Sequence, residues 1–278
     1  ALPVERPVAE AFLSMRCGWN SGDLNHALAV AQRAADAAAA IVKPRYAAQD
    51  FSITTKDDLT PVTEADRDAE AAIRTVLLDA YPDHAVFGEE AGRTGDSECL
   101  WLVDPIDGTK SFVRGYPFFS TQIALMIEGE IVVGVSDACA FGERAWAVRG
   151  GGAFLNGKPI RVSDADDFDH RVAISTGNIK SLAGDAVRWQ ALSELIKRVG
   201  RVRGYGDFVH YHLLARGAID LVIESDLNIL DVAALSLIVE EAGGVLTQLD
   251  IGSAGWQQLQ WLDAKSTDHP CPSPYRGQ

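Results

Sequence analysis

The segment 104–109 (sequence DPIDGT) places acidic residues where carboxylates are uncommon, directly after an apolar run. Residues 100–103 (LWLV) predict a buried strand that stops at Asp104, and the proline and Asp-Gly pair that follow predict two sharp turns. The Asp104 and Asp107 carboxylates and the Ile106 carbonyl would therefore crowd at one strand end. Neighbouring carboxylates repel one another unless they are protonated or bridged by a cation. An all-oxygen ligand set of this kind favours Mg²⁺ or Mn²⁺ over zinc.

Two further acidic positions favour a functional interpretation over the alternative that Asp-Pro and Asp-Gly are simply turn formers. Glu89 follows a second short apolar run, and Asp231 opens an apolar helix predicted over 232–242. Asp231 could equally be a plain helix N-cap. The free backbone N–H groups at Gly108 and Thr109, where a short helix is predicted to begin, would suit a phosphate group.

The elements that must position these acids include both helices and strands. Small and apolar residues at spacings of three and four predict a helix over 24–42, closed by Pro44. A second helix is predicted over 63–80, with a threonine N-cap and an aspartate three residues later. Short β-rich segments over 120–154 predict an antiparallel meander, and helices and strands alternate over 185–242. This order predicts an α/β fold built in layers.

Composition and charge narrow the class of partner. The chain has 278 residues with a formal net charge of −14, and 47% of its residues are hydrophobic. This composition is typical of a globular protein, and the acid excess disfavours nucleic acid and anionic membrane surfaces. The four cysteines form no Cys-x-x-Cys pair, and no uncharged apolar run approaches the roughly 20 residues that span a membrane. We therefore expect a cytoplasmic protein with reduced thiols.

Four ordered motifs give the sequence a specific resemblance to one family. Together they resemble the inositol monophosphatase family of Mg²⁺-dependent phosphomonoesterases, and the match extends over about residues 24–250. The motifs are PVTEAD at 61–66, GEE at 88–90, DPIDGT at 104–109, and DVAA at 231–234 followed by EAGG at 241–244.

The resemblance implies a layered α-β-α-β-α sandwich of the inositol monophosphatase and fructose-1,6-bisphosphatase type, usually dimeric, with two or three Mg²⁺ ions per subunit. It also implies that Asp66 and Thr109 orient the attacking water together with Glu89, and that Gly108 and Thr109 bind phosphate. The family usually has Trp before its last metal-binding Asp, and Leu230 stands here instead. By motif position, the metal ligands would be Glu89, Asp104, the Ile106 carbonyl, Asp107 and Asp231.

A single catalytic domain over 1–278 with two structural halves is expected from the length and the resemblance. A weak boundary near 163–170, where aspartates cluster, would separate a metal and phosphate half, about 1–165, from a substrate half, about 166–262. Residues 263–278, which include three prolines, are predicted to form a loose tail.

The leaving group is predicted from two more acids, Asp207 and Glu224, which would face it by motif alignment. Two carboxylates suit a cation better than a neutral polyol, because hydrogen bonds between charged groups are stronger. The segments 108–112 (GTKSF), 114–117 (RGYP) and 204–207 (GYGD) also resemble the histidinol-phosphate phosphatase branch. The expected reaction is hydrolysis of L-histidinol phosphate in histidine biosynthesis, with inositol 1-phosphate as the alternative substrate.

Several alternatives stay open on the sequence alone. Asp207 could cap the helix predicted over 208–215, and a family member without turnover could bind a metal or ligand as a regulator. His210 and His212 point to different faces of a helix and are predicted to be core or surface histidines. The polar residues 56–61 could form a flap near the site or a plain surface loop.

Overall fold

A central sheet of eight strands carries most of the fold in the computed structural model, which describes residues 19–49, 51–55, 61–165 and 169–247. The helices are α1 (Ser21–Ala48), α2 (Glu64–Ala80), α3 (Thr109–Val113), α4 (Lys180–Ala183), α5 (Ala186–Ile196), α6 (Asp207–Ala215) and α7 (Ile229–Glu241). The strands are β1 (Ile53–Thr55), β2 (Pro61–Thr63), β3 (Ala85–Gly88), β4 (Gly92–Thr94), β5 (Cys99–Asp107), β6 (Ser120–Ile127), β7 (Glu130–Ala138), β8 (Glu143–Val148), β9 (Gly152–Leu155), β10 (Lys158–Ile160), β11 (Ala173–Thr176), β12 (Arg201–Arg203) and β13 (Leu221–Ile223).

The large sheet has the strand order β10-β9-β8-β7-β6-β5-β3-β4, and β3 and β5 are its parallel pair. Side chains alternate across β5, so the two faces of the sheet bury different helices. Trp101 and Val103 pack with α1 and α2, while Leu100 and Leu102 pack with α6 and α7. Both faces are therefore covered by helices.

A smaller parallel sheet, β12-β11-β13, completes the layers. Ile174 of β11 packs with Leu192 and Leu195 of α5, while the next residue, Ser175, faces His210 of α6. The order of layers is thus helices, large sheet, helices, small sheet, helices. This confirms the predicted α-β-α-β-α sandwich.

Helix α1 is longer than predicted, because it passes through Pro44 and ends at Ala48. Proline removes one helical hydrogen bond and usually breaks or kinks a helix. Here tertiary contacts stabilise the last turn: the Tyr46 ring lies 4.9 Å from that of Phe119, and its hydroxyl donates to the Gly115 carbonyl at 3.0 Å. The prediction that Pro44 closes the helix is wrong for this reason. The neighbouring helix α2 has the predicted Thr63 cap and capping box.

Strand β5 also differs from its prediction, since it continues past Asp104 to Asp107. Asp104 pairs with Gln122 and Asp107 with Ser120. Between these two pairs β5 advances by three residues while β6 advances by only two. The extra residue makes a β-bulge, and Pro105 is accommodated there because a bulge interrupts the ladder of backbone hydrogen bonds. The strand therefore bends at its acids instead of stopping before them.

The meander over β6 to β9 is confirmed, including a tight hairpin at Glu128 and Gly129, which both have positive φ.

Helix α7 begins one turn earlier than predicted. Its N-cap is Asn228, and Asp231 is the third helical residue, completing a capping box. The interpretation of Asp231 as a plain N-cap is therefore wrong.

Some predictions concern residues outside the described ranges: the loop over 56–60, part of the aspartate cluster near 163–170 and the tail over 263–278. Among the helices of the described ranges, none combines the length and the apolar character needed to cross a bilayer.

Candidate metal centre

Three carboxylates converge where the bulged end of β5 faces the first turn of α7. One carboxylate oxygen from each of Asp104, Asp107 and Asp231 lies within 4.8 Å of the corresponding oxygens of the other two. Asp104 is only 3% exposed, and its Oδ1 accepts the Ile106 N–H at 3.0 Å. The bulge supplies two of the acids, and the capping box of α7 supplies the third.

The electrostatics of this cluster are unfavourable without a cation. Burial raises the pKa of Asp104 well above its usual value, and the charges of Glu89, Asp107 and Asp231 raise it further. Burial, followed by the charges of Asp207 and Asp231, likewise raises the pKa of Asp107. Burial is also the main cause that raises the pKa of Asp231. A divalent cation would relieve this repulsion, and the all-oxygen donor set fits Mg²⁺.

Glu89 faces the same cluster from the turn after β3. Its backbone N–H donates to the Val103 carbonyl at 3.2 Å, and its charge contributes to the raised pKa values of both Asp104 and Asp231. The Ile106 carbonyl accepts the Thr109 hydroxyl at 3.0 Å. The structure thus brings the predicted ligand positions to one place, while their role as metal ligands stays a prediction.

A buried residue that the sequence did not reveal, Glu70 of α2, holds the turn that carries Glu89. The Glu70 side chain accepts the Glu90 N–H at 2.6 Å and the Ala91 N–H at 3.0 Å, and it pairs with Arg74 at 2.8 Å. A Cβ at Gly88 would lie 2.3 Å from the Glu70 carboxylate, so the close approach requires glycine. The sequence offered no sign of this contact beyond the i,i+4 spacing of Glu70 and Arg74.

Asp66 and Thr109 meet beside the metal cluster. Asp66 Oδ2 accepts the Thr63 N–H at 2.8 Å and the Thr63 hydroxyl at 2.6 Å, which fixes its side chain in the capping box of α2. The Thr109 hydroxyl lies 3.2 Å from Asp66 Oδ1 and 3.0 Å from the Ile106 carbonyl. Burial raises the pKa of Asp66 although its hydrogen bonds oppose that shift. Thr109 therefore has acceptors for its proton and keeps lone pairs free for a water molecule.

Gly108 makes the sharp turn that leads from β5 into α3. Its φ of +89° lies in the left-handed region, and a Cβ there would lie 2.6 Å from the Phe118 carbonyl. Only glycine fits this conformation without strain. The turn places Gly108 and Thr109 next to the acidic cluster, as the phosphate-binding prediction requires.

A cavity of about 160 Å³ extends from these acids to the two residues predicted to face the leaving group. Five acidic side chains line it, which makes it strongly anionic. The lining residues are Asp107, Asn178, Asp207, Tyr211, Glu224, Asp226, Leu227, Asp231, Val232 and Leu235.

Asp207 enters this cavity from the first turn of α6. Gly206 is the N-cap of that helix, so the alternative that Asp207 caps it is wrong. Asp207 has a left-handed backbone, with φ of 47°, and its Oδ2 lies 3.4 Å from the Ser111 hydroxyl. Burial, followed by the charge of Glu224, raises the pKa of Asp207 to about 6.

Glu224 is held in place by donors at the end of β13. Its Oε2 lies 2.9 Å from His210 Nε2 and accepts the Tyr211 hydroxyl at 2.9 Å, while Oε1 accepts the Asn178 N–H at 3.1 Å. Burial alone would raise the pKa of Glu224, but these hydrogen bonds, led by that of His210, bring it below its usual value. Glu224 is therefore a stable anion at one end of the cavity.

The two histidines of α6 face opposite ways, as predicted. His210 contacts Glu224, whereas His212 lies 3.2 Å from Glu143 and 3.0 Å from the Ser136 hydroxyl. Both are fully buried, so the structure places them in the core, one of the two positions that the sequence left open. Leu230 is buried in the apolar layer between the sheets.

Known proteins resemble the chain over most of its length. A family model described as "Inositol monophosphatase family" matches residues 23–270. The histidinol-phosphatases of Mycobacterium tuberculosis (strain ATCC 25618 / H37Rv) and Streptomyces coelicolor (strain ATCC BAA-471 / A3(2) / M145) are 43% and 41% identical to it. The matches cover 84% and 80% of this chain, and 89% and 86% of those proteins. A crystal structure of the extragenic suppressor protein suhB from Bartonella henselae has a TM-score of 0.73 and 34% identity, covering 80% of this chain and 87% of that one.

Proposed function

The chain belongs to the inositol monophosphatase family, and we propose that it hydrolyses the phosphate monoester of a small, positively charged alcohol, namely L-histidinol phosphate. The observation that carries this proposal is the cavity in which Asp207 and Glu224 lie beside the metal cluster. The histidinol-phosphatases among its relatives support the same substrate.

The metal and phosphate end of the cavity fits the family's use of Mg²⁺. We propose that two or three Mg²⁺ ions, or Mn²⁺ in their place, are held by Glu89, Asp104, the Ile106 carbonyl, Asp107 and Asp231. When bound, such ions supply positive charge that offsets the phosphate dianion and stabilises the departing alkoxide oxygen. The raised pKa values of Asp104 and Asp107 support this assignment, because buried carboxylates need a counter-charge.

The chain's own groups orient the attacking water and the phosphate. Thr109 Oγ1 donates its proton to Asp66 Oδ1 or to the Ile106 carbonyl, which leaves a lone pair to accept a hydrogen bond from the water. Glu89, which borders the same acidic cluster, orients the water together with Asp66 and Thr109. The backbone N–H groups of Gly108 and Thr109 bind phosphate oxygens, on which negative charge collects in the transition state.

The leaving group is selected at the other end of the cavity. Histidinol carries an ammonium group and an imidazole, both of which donate hydrogen bonds. Asp207 and Glu224 accept them, and the charge of the ammonium strengthens each bond. Inositol has hydroxyl groups alone and gains less from two carboxylates.

The test compares kcat/KM for L-histidinol phosphate and inositol 1-phosphate in the presence of Mg²⁺. A higher value for L-histidinol phosphate is expected, and a higher value for inositol 1-phosphate overturns the choice of substrate. The Asp104→Asn variant is the control for metal-dependent turnover. A chain that releases no phosphate in a Mg²⁺-dependent way from any of several monoesters would instead be a metal- or ligand-binding regulator.

We also propose that the single catalytic domain has a metal and phosphate half, about 1–165, and a substrate half, about 166–262, with Asp231 reaching from the second half into the metal cluster.

The proposed setting is histidine biosynthesis in the cytoplasm, with a homodimer as the working form. Among the described residues, Cys99 and Cys139 are free cysteines. Light scattering tests the dimer, and rescue of a histidine auxotroph tests the setting.

A further inference from the structure

His210 links the small sheet to the leaving-group end of the cavity. It is fully buried on α6, with Nδ1 3.3 Å from the Ser175 hydroxyl of β11 and Nε2 2.9 Å from Glu224 Oε2. The Ser175 hydroxyl also accepts the Tyr205 N–H at 3.2 Å. One imidazole thus connects a backbone N–H, a hydroxyl and a carboxylate in a single line.

The chemistry of the partners determines which group donates and which accepts along this chain of hydrogen bonds. The Glu224 carboxylate can only accept, so His210 Nε2 is the donor to it, and the Ser175 hydroxyl, whose oxygen accepts from Tyr205, can then donate to Nδ1. A neutral imidazole that accepts at Nδ1 carries its proton at Nε2, and this proton is donated to Glu224. Each polar atom between Tyr205 and Glu224 then has a partner, and the imidazole ring can take one orientation only.

Glu224 is fixed on both of its oxygens by this arrangement. The Asn178 N–H bonds Oε1, and the Tyr211 hydroxyl shares Oε2 with His210. A Cβ at Gly177 would lie 1.9 Å from Glu224 Oε1, so the carboxylate occupies space that a side chain would otherwise fill. The side chain is 8% exposed and lines the cavity. Few orientations other than the one toward the cavity are open to it.

We infer that His210 is a positioning residue that determines the preference for a cationic leaving group by holding the Glu224 carboxylate toward it. This inference rests on the proposed function and adds a residue to it that does not itself touch substrate. Without the Nε2 proton, Glu224 keeps the Tyr211 and Asn178 bonds but loses the donor from the core. The carboxylate is then held by two donors where it had three and is fixed less firmly toward the cavity, and an ammonium group loses more from that than a neutral hydroxyl does.

The test uses the ratio of kcat/KM for L-histidinol phosphate to that for inositol 1-phosphate. His210→Phe fills similar space without a donor, and it should lower this ratio about tenfold, the effect expected for one hydrogen bond to a charged group. The change should fall on the KM for L-histidinol phosphate more than on kcat. His210→Gln offers an amide N–H near the position of Nε2 and should recover most of the ratio. An unchanged ratio in the Phe variant, or no recovery in the Gln variant, overturns the inference.

His212→Phe is the matched control, because His212 lies two residues away on the same helix and is equally buried, but contacts Glu143 and Ser136. It should lower stability without changing the ratio, and a similar fall in its ratio would mean that the effect is merely structural. If His210→Phe does not fold, Ser175→Ala decides: a ratio lowered about threefold is expected for loss of a neutral hydrogen bond, and an unchanged ratio overturns the inference. A wild-type preference for inositol 1-phosphate would overturn the proposed function itself.

Discussion

The two ends of the cavity use the same kind of side chain in opposite ways. At the metal end, Asp104 and Asp107 are buried among other carboxylates, and their pKa values are raised. At the leaving-group end, Glu224 is also buried, yet hydrogen bonds from His210, Asn178 and Tyr211 lower its pKa. Burial therefore does not decide the charge of a carboxyl group by itself. Hydrogen-bond donors outweigh burial at Glu224, whereas burial and the neighbouring negative charges dominate at Asp104 and Asp107.

The largest effect is expected from changes at the metal end of the cavity, by removal of the cation or of one acidic side chain. Removal of divalent cations with a chelator should abolish phosphate release, and Mg²⁺ should restore it. Asp104→Asn should lower kcat at saturating Mg²⁺ on the order of a hundredfold to a thousandfold, the range seen when a main electrostatic contact is lost. Phosphate release measured against Mg²⁺ concentration checks both. Full activity of the chelated protein would contradict the proposed metal site.

The next largest effect is expected from a change at Glu70, which holds the turn that carries Glu89. Glu70→Gln keeps the side-chain volume but places an amide donor against the Glu90 or Ala91 N–H, so the turn should shift and Glu89 with it. We expect kcat/KM to fall about tenfold and the Mg²⁺ concentration for half-maximal activity to rise, as for other groups that orient a metal ligand. Asp79→Asn, an exposed change on the same helix, is the control. Equal Mg²⁺ requirements in the two variants would mean that Glu70 does not position Glu89.

The charge of Asp207 should give a smaller, pH-dependent effect. Its pKa is raised to about 6, so Asp207 is neutral below that pH and charged above it. Relative to Asp207→Asn, the preference of wild type for L-histidinol phosphate over inositol 1-phosphate should therefore increase by about threefold to tenfold as the pH rises through 6, in line with one charged hydrogen bond. The phosphate titration is common to both substrates and cancels in the ratio, whereas the imidazole of L-histidinol phosphate also titrates in this pH range and cancels only between wild type and Asp207→Asn. In Asp207→Asn only the substrate imidazole should change the ratio with pH, and equal pH slopes in the two proteins would contradict this role of Asp207.

The smallest expected effect is on the thermal stability of the metal-free protein. It has opposite signs for substitutions at the two ends of the cavity. A carboxyl whose folded pKa is raised destabilises the fold as the pH rises above its unfolded value, so at neutral pH Asp104→Asn should stabilise the metal-free protein. Glu224→Gln should destabilise it, because a lowered pKa contributes stability at pH values above the unfolded pKa. Each Tm shift should be about 2–4 °C, corresponding to about 1 kcal/mol. Thermal unfolding with a chelator present checks the signs, and shifts of the same sign would remove the contrast.

The positions of the acids in the candidate metal cluster could largely be predicted from the sequence. The contacts that hold Glu224 at the other end of the cavity could not. The acids of the segment 104–109 are conspicuous because they interrupt an apolar run, and Asp231 precedes another. The role of His210 depends on a contact between α6 and the end of β13, which no local pattern encodes. The same holds for Glu70, whose backbone partners Glu90 and Ala91 lie 20 and 21 residues away.

The wrong boundaries at Pro44 and Asp104 have the same physical origin. Pro44 does not close α1, because Tyr46 packs on aromatic rings from another part of the chain. Asp104 does not end β5, because pairing with β6 continues beyond the bulge. Local propensity predicted a break at each proline, and tertiary contacts continued the element. The layered fold, in contrast, followed from the order of elements together with the family resemblance.

We propose that one cavity joins an acidic cluster that requires a cation to a fixed anion that selects a charged leaving group. The most direct measurement is the ratio of kcat/KM for L-histidinol phosphate to that for inositol 1-phosphate with Mg²⁺, in wild type and in Glu224→Gln. We predict a ratio well above one in wild type and a fall of about tenfold in the variant. A wild-type ratio below one, or the same ratio in both proteins, would contradict the account.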